Sequence, residues 1–413
     1  MSTTAPPASA GQGSRPWFGR RHVYAVAGCY FAASFAALGL PPYLTEILPE
    51  LGDRASHWAG LLYIVPTVFG GLGAPLWGRL ADRFGRKRLL LRAQLGLALA
   101  FLLAGWADSV PMFAGALVLQ GVLGGTFAAS NGYLAAALEG PALSRALTLM
   151  QGSARAALVC APIVVGSLSP WLSPHRQYAL LALLPLAAAL MLCALPEPGV
   201  ASGLKPAGAQ EGICAAGTEG GASRGSLPAL YAFQFALVFS TVISFPYLMS
   251  LMQERMPGTA PVVSGLLFAL PHLCYLTSAM VVHSAFRGRP RTGIALGCCC
   301  IALGLAGHVV AGSYAAFTGA RLLLGCGLTL GLVCLSVLAA DCAGGRAAGS
   351  MFGSLEFVSK AGAVAAGLSA ASAANWFGPA APMLTGSAIA AATMVASVLP
   401  CLIHRSSRLS RSR

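Results

Sequence analysis

Charged residues are scarce in this sequence: they make up 9% of its 413 residues, and only 12 residues are Asp or Glu. A soluble domain has about 25% charged residues, so this composition, with 56% hydrophobic residues, excludes a soluble globular protein. The 12 cysteines have no zinc-ligand spacing, and most fall inside apolar runs. No nucleophile–base arrangement is recognisable either. We therefore expect no enzyme, no cofactor and no metal site.

Long apolar runs dominate the chain instead. A membrane-spanning helix needs about 20 apolar residues, and twelve runs meet that length. They are 23–45, 58–78, 89–107, 111–138, 146–169 and 177–195, then 228–251, 261–285, 292–311, 314–340, 347–372 and 379–402. The sequence predicts an all-α integral membrane protein with twelve transmembrane helices.

The cations indicate how these helices are oriented. The formal net charge is +14, but most of the Lys and Arg residues lie in short loops and tails and form no single patch, which argues against a nucleic-acid partner. If both termini are cytoplasmic, the outer loops contain only Arg54, Arg176 and Arg255. Cytoplasmic loops carry the excess of Lys and Arg. We therefore expect a multi-pass protein of the cell inner (plasma) membrane with both termini in the cytoplasm.

The two halves of the chain repeat each other. GLLYIVP at 60–66 corresponds to GLLFALP at 265–271, and FAGALVLQG at 113–121 corresponds to FTGARLLLG at 317–325. A nearly constant offset in the same order indicates two homologous units. The predicted organisation is a cytoplasmic N-terminal tail (1–21), a six-helix bundle (22–195), a cytoplasmic linker (196–227), a second six-helix bundle (228–402) and a basic cytoplasmic tail (403–413).

The segment GRLADRFGRKR, residues 78–88, concentrates charge between two apolar runs. Positive-inside topology alone would explain its cations, but not Asp82 or the two glycines. The residues Gly78, Leu80, Asp82, Arg83, Gly85, Arg86 and Lys87 resemble the loop between helices 2 and 3 of major facilitator superfamily transporters. This resemblance implies two pseudo-symmetric six-helix bundles with a substrate site between them at the membrane midplane.

The resemblance also implies a conformational latch. In the family, the aspartate matching Asp82 pairs with a loop arginine, here Arg86, and faces the end of helix 11. The proposed latch residues are Gly78, Asp82, Arg83, Gly85, Arg86 and Lys87, with the repeat-related charges Glu139, Arg145, Asp341 and Arg346. The alternative for the last four is that they are solvated charges at loop ends, which contribute little.

Charges within the spans are the strongest candidates for a substrate site, because a charge at membrane depth must face a cavity or a partner. The predicted substrate-cavity residues are Arg155, Arg321, Lys360, Tyr30, Tyr63, Gln120, Asn131 and Tyr247. For any single aromatic or amide residue, helix packing is the commoner role. Glu356 is the candidate for proton coupling. The alternative is that Glu356 and Lys360, at i and i+4, simply neutralise each other.

Two further patterns concern the branch of the family. Drug exporters carry an arginine in helix 4, four residues before a glycine. Here Leu117 occupies that position, and Arg321 occupies the repeat position in the second half. Ala161-Pro162 followed by Gly166 is a degraded form of the exporters' Gly-Pro element in helix 5. The chain is also broadly similar to siderophore exporters of this superfamily, such as the type that releases alcaligin.

These features favour a proton-motive-force-driven exporter of a small molecule, either a siderophore or other secreted metabolite or a drug-like compound. The expected partners are the small-molecule substrate, protons and the lipid bilayer, and we expect a monomer. Two alternatives are open. One is an uptake symporter for an organic anion, which the buried arginines would also suit; the other is a non-transporting membrane sensor on the same scaffold.

Overall fold

Every regular element in the described part of the chain is a helix. The computed structural model describes residues 19–54, 57–138, 140–197, 226–342 and 348–411. Within these ranges, twelve helices are long and apolar enough to cross a membrane. The prediction of an all-α protein with twelve spans is therefore confirmed, and we number these helices spans 1 to 12 in chain order.

The helix bounds are as follows. Span 1 is Arg20–Gly39, extended by the short turns Pro41–Tyr43, Leu44–Ile47 and Leu48–Leu51. Spans 2 to 6 are Ala59–Phe84, Arg86–Gly105, Val110–Leu123 with Thr126–Ala137, Gly140–Leu168, and Pro174–Leu181 with Leu183–Cys193. Span 7 is Ser226–Val242, extended by Phe245–Tyr247 and Leu248–Arg255. Spans 8 to 12 are Pro261–Phe286, Pro290–Val310, Tyr314–Cys342, Ala348–Phe377 and Ala381–Arg411.

The first span of each half is interrupted at the same place. Pro41–Tyr43 and Phe245–Tyr247 are both short 3₁₀ turns with a proline at their start. Proline has no backbone N–H and cannot continue an α-helical ladder, so the helix tightens or breaks there. Tyr43 and Tyr247, which end these turns, are both buried. The sequence repeat is therefore also a structural repeat.

Span 4 differs from the prediction of one continuous helix over 111–138. It is broken at Gly124 and Gly125, and Gly125 has a φ of 82°, a conformation that favours glycine. Side chains from neighbouring spans occupy the carbonyls at the end of Val110–Leu123. Trp77 Nε1 donates to the Val122 carbonyl at 2.6 Å, and Arg92 Nη1 donates to the Leu123 carbonyl at 2.7 Å. The break is therefore stabilised by the partners that a helix end requires.

The buried apolar residues form two clusters, one shared by the two halves and one confined to the first half. We call the end that carries Gly85 the basic end, and the opposite end the distal end. One buried apolar cluster contains residues of both halves, including Tyr43 and Tyr247 near the distal end. A second cluster, which includes Leu90 and Tyr133, belongs to the first half alone and lies toward the basic end. The two halves thus share a core that includes the distal end.

Candidate functional site

Spans 2 and 11 approach each other closely at the distal end. A Cβ atom on Gly60 would lie 2.8 Å from the Ala371 nitrogen and 2.8 Å from the Gly367 oxygen, so a side chain cannot be added without moving the backbone. The Gly60 amide donates a hydrogen bond of 3.2 Å to the Tyr247 hydroxyl. This crossing joins the first half to the second half.

Spans 5 and 8 form an equivalent crossing. A Cβ atom on Gly166 would lie 2.7 Å from the Pro261 carbonyl carbon and 2.9 Å from the Tyr43 hydroxyl. The Tyr43 hydroxyl also lies 2.9 Å from the Cβ position of Gly265, and it donates to the Pro162 carbonyl at 2.7 Å. Small residues let helix backbones approach closely in a membrane. The two crossings together close the distal end between the halves.

A cavity of about 960 Å³ lies within the first half and is bounded on one side by span 11 of the second half. It extends from the level of Leu44 near the distal end to Gly78 and Arg79 at the basic end, where these two residues are exposed. Residues of spans 1 to 6 form most of its wall. This volume falls within the range of small-molecule sites, about 300–1,000 Å³.

Several of the predicted site residues line this cavity: Tyr30, Tyr63, Gln120, Glu356 and Lys360. Lys360 Nζ lies 3.8 Å from Glu356 Oε1, one helical turn away, and the two side chains are 45% and 56% exposed. The pair is therefore accessible from the cavity, and Glu356 is the one acidic residue among the described lining residues. Their contact fits the alternative of mutual neutralisation, while a role in proton coupling stays a prediction.

The structure does not bring the other four predicted cavity residues, Arg155, Arg321, Asn131 and Tyr247, to this lining. Tyr247 lies at the distal crossing. Asn131 lies in Thr126–Ala137, and its Oδ1 atom is buried with no hydrogen-bond partner among the described residues. Asn131 and Tyr247 were predicted from residue type alone, which does not indicate the direction in which a side chain points.

Arg155 contacts the second half directly. Its Nη1 atom is 3.5 Å from Nδ1 of His272, and its guanidinium carbon is 5.0 Å from the centroid of the Tyr275 ring. Both partners are on span 8. Arg155 thus lies between spans 5 and 8, where it has a hydrogen-bond acceptor and an aromatic face.

Arg321 is fully enclosed in the second half, with a residue exposure of 1%. Its Nε atom donates to the Leu267 carbonyl at 2.8 Å, and its Nη2 atom donates to the Phe268 carbonyl at 2.7 Å. The prediction that Arg321 lines the cavity rested on the cost of an unpartnered charge in a membrane. Backbone carbonyls of span 8 provide the partners instead.

The basic loop is anchored to its own half. Gly85 has a φ of 94° and forms the turn between spans 2 and 3. Arg86 Nη1 donates to the Gly132 carbonyl at 2.9 Å, and Lys87 Nζ donates to the Cys193 carbonyl at 3.0 Å. These bonds connect the loop to spans 4 and 6.

The remaining predicted latch residues give less information. Arg83 is exposed, with its guanidinium carbon 5.4 Å from the centroid of the Phe84 ring, and Arg145 is also exposed. The side chains of Asp82 and Asp341, and the residues Glu139 and Arg346, lie outside the described residues. A latch that includes them stays a prediction.

The lining residues that the sequence prediction missed include Trp77, Arg79 and Arg92. The guanidinium carbon of Arg92 lies 3.5 Å from the centroid of the Trp77 ring, a close cation–π contact. The adjacent glycines at 124 and 125 were a usable signal, because two consecutive glycines in a long apolar run weaken the helix and mark a candidate break.

The described residues form twelve membrane-length helices in two repeated halves, with a cavity that is accessible from one end, and this arrangement defines a multi-pass membrane protein. A family model described as Major Facilitator Superfamily matches residues 26–367. The chain belongs to this superfamily, which confirms the resemblance seen in the 78–88 loop.

Among its relatives is the Multidrug resistance protein MdtG of Serratia proteamaculans (strain 568), which is 34% identical over 146 residues. That match covers 34% of this chain and 35% of the relative, so the chain matches about a third of the relative's length. The fold is similar to the human organic anion transporter MFSD10 (TETRAN), with a TM-score of 0.65 and 20% identity over 92% of this chain and 99% of that one. It is also similar to the peptide transporter POT, with a TM-score of 0.71 and 15% identity over 94% and 96% of the two chains.

Proposed function

We propose that this protein is a secondary transporter that exports small molecules by alternating access. The observation that carries this proposal is the cavity of about 960 Å³, which is accessible at the basic end while glycine crossings close the distal end. Alternating access requires a cavity that borders both repeated bundles and opens to one side at a time, and span 11 brings the second bundle to this cavity. Transport also suits a family scaffold in which we recognise no catalytic arrangement.

The orientation follows from charge. The basic end carries the loop over 78–88, and loops rich in Lys and Arg remain in the cytoplasm. Both termini are then cytoplasmic, the membrane is the bacterial inner membrane, and the described conformation is inward-facing. A cavity open to the cytoplasm is the state in which an exporter loads its cargo.

The cargo class is a drug-like compound. The name of the Serratia relative, a multidrug resistance protein, supports this choice. A siderophore or another secreted metabolite is a narrower possibility that rests on the broad sequence similarity described above. We propose that the functional unit is a monomer.

The uptake symporter for an organic anion stays as a second candidate because of one observation. Arg79, Arg92 and Lys360 line the cavity, whereas Glu356 is the one acidic residue among its described lining residues. A cavity with an excess of positive charge attracts anions. The same cavity could serve export or uptake, because the two processes differ only in the direction of transport and in the coupling to protons.

Proton coupling is assigned to Glu356. It lies in the accessible cavity, on span 11, one turn from Lys360 and at the boundary between the halves. A carboxylate in this place can exchange its proton with the cytoplasm when the basic end is open. Loss of its negative charge on protonation frees Lys360 for an anionic group of the cargo.

The test uses purified protein in liposomes with an imposed pH gradient, with ethidium as a cationic probe and carboxyfluorescein as an anionic probe. We expect proton-driven flux of at least one probe in the wild-type protein. Glu356→Gln should reduce this flux at least tenfold and preserve probe exchange without a gradient. Glu254→Gln, at an exposed site outside the cavity lining, is the matched control.

Three outcomes would count against parts of the proposal. Unchanged gradient-driven flux in Glu356→Gln would remove the coupling assignment. Flux in which protons and carboxyfluorescein move in the same direction would favour the uptake symporter. If the wild-type protein binds a probe but moves neither probe under any gradient, the non-transporting sensor becomes the better description.

A further inference from the structure

Arg321 is the largest fully buried side chain among the described residues. It lies in span 10, and no carboxylate of the described residues lies within ion-pair distance of it. Its third nitrogen, Nη1, is buried and has no hydrogen-bond partner in the same part of the chain. A fully buried arginine is costly to maintain, so a specific role must offset its desolvation.

Its two hydrogen bonds indicate that role. They end on the carbonyls of Leu267 and Phe268 in span 8, at 2.8 and 2.7 Å. Pro271 lies inside this helix, four residues after Leu267. Because proline has no N–H, the Leu267 carbonyl loses its helical partner at i+4. Arg321 Nε supplies the missing donor.

The residue after the proline, His272, contacts the other half of the protein. It is 3% exposed, and its Nδ1 atom is 3.5 Å from Arg155 Nη1 of span 5. An arginine can only donate, so Nδ1 is the acceptor and the ring is the neutral tautomer with its proton on Nε2. The ring lies 6.1 Å from that of Phe245 and 6.0 Å from that of Phe268. Its position therefore depends on the geometry of span 8 at the kink.

We propose that Arg321 is a positioning residue that fixes the proline kink of span 8 and thereby holds His272 against Arg155. Span 10 then controls a contact between the two halves, although both residues of that contact lie on other spans. In this role Arg321 does not bind cargo. Its charge and its depth in the membrane, taken alone, would have predicted that it does.

The first half provides an internal control. Pro66 occupies the repeat position of Pro271, and Leu117 occupies that of Arg321. Both Pro66 and Leu117 line the cavity, as does Leu62, whose carbonyl Pro66 deprives of its helical partner. The fold therefore tolerates a proline at this position without an arginine that bonds to the unpaired carbonyl, when the carbonyl lies beside the cavity.

The first test is a double-mutant cycle read by thermal unfolding of the full chain in detergent. Arg321→Met should lower the melting temperature by more than about 5 °C. Pro271→Ala restores an N–H that can bond to the Leu267 carbonyl, so in that background Arg321→Met should lose at least half of its effect. The matched pair Pro66→Ala and Leu117→Met should be additive.

An additive result for Pro271→Ala and Arg321→Met would overturn the proposal, as would a double variant that fails to fold when Pro271→Ala alone folds. The melting temperature does not depend on transport. This test therefore distinguishes failure of the positioning role of Arg321 from failure of the proposed transport function. Arg321→Lys, with a single donor group, should give an intermediate melting temperature.

The second test separates positioning from cargo binding, and it rests on the proposed transport function. Arg321→Met and His272→Ala should both reduce the maximal flux of carboxyfluorescein at least fivefold, with the Kd for this probe changed less than twofold. A Kd that rises tenfold in Arg321→Met, with normal flux at saturating probe, would instead make Arg321 a cargo ligand.

Discussion

The crossing of spans 2 and 4 and the crossing of spans 8 and 10 are related by the sequence repeat, but they are packed differently. Both are close: a Cβ on Gly121 would lie 2.8 Å from the Pro66 oxygen, and one on Gly325 would lie 2.9 Å from the Pro271 Cα. One turn before these glycines, the first half has Leu117 beside the cavity. The second half has Arg321, which fills the corresponding region and bonds to the kinked helix.

The crossings between the halves, in contrast, are nearly equivalent. Gly60 and Gly265 begin matching segments of the repeat, and each lies against a helix of the other half. A tyrosine that ends a 3₁₀ turn reaches each crossing, Tyr247 in one case and Tyr43 in the other. The repeat is thus preserved where the halves meet and has diverged where the cavity lies. This is what two bundles need if they must pack against each other symmetrically but bind an asymmetric cargo.

The largest effect should come from adding a side chain at a distal crossing. In Gly60→Val, the new Cβ would lie 2.8 Å from backbone atoms of span 11, which cannot rotate away as a side chain could. Overpacking of this kind costs about 1–3 kcal/mol or more. We expect the closed distal end to open, with transport at least tenfold slower and faster hydrogen exchange at the start of span 2.

Gly71→Val is the control for this prediction. It lies in the same helix, and nothing is within 4 Å of its Cβ position. Equal loss of transport in both variants would mean that the effect comes from helix propensity and not from the crossing. The symmetric variant Gly265→Val should resemble Gly60→Val; if it behaves like Gly71→Val, the two crossings are not equivalent.

The sequence predicted much of this architecture because each signal was local or periodic. Twelve apolar runs, a repeated order of motifs and a basic loop with Asp82 between two glycines were sufficient for the fold and family. The candidate site was harder to predict. Of the three cations predicted to line the cavity, Lys360 does so, whereas Arg155 and Arg321 bond to span 8.

The reason is physical. Hydrophobic length tells how deep a residue lies in the membrane, but not the rotation of its helix, and rotation decides whether a charge meets a cavity or a neighbouring backbone. Pro271 was the available clue for Arg321, because it leaves a carbonyl unpaired inside a helix. The pair Gly124 and Gly125 was the equivalent clue for the broken span 4, which Arg92 and Trp77 complete.

Removing the tyrosine hydroxyl at each crossing should have a smaller effect, and it should destabilise the protein more at Tyr247 than at Tyr43. Gly60 is the second residue of its helix, so its amide has no acceptor within the helix and depends on the Tyr247 hydroxyl. Tyr247→Phe leaves this buried donor unpaired, at a cost of about 1–3 kcal/mol. Tyr43 donates to Pro162, whose carbonyl already lies within a helical ladder, so Tyr43→Phe should cost about 0.5–1.5 kcal/mol.

Thermal unfolding of the two variants, side by side, measures this difference. Equal melting temperatures would show that the crossings are energetically as well as geometrically alike. A larger loss in Tyr43→Phe would mean that its hydroxyl, which approaches the Cβ positions of both Gly166 and Gly265, contributes more through packing than through its hydrogen bond.

The smallest effect on stability should come from the ion pair of Glu356 and Lys360, which faces the cavity. Glu356 and Lys360 are about half exposed and 3.8 Å apart, and a pair of this kind at i and i+4 contributes about 0.3–0.5 kcal/mol. Lys360→Met should therefore leave the melting temperature nearly unchanged. The substitution removes a positive charge from the cavity lining, where the two halves have diverged. It should therefore raise the Kd for carboxyfluorescein severalfold and leave the Kd for ethidium unchanged or lower. An equal change for both probes would mean that Lys360 shapes the cavity sterically, and that its charge does not select cargo.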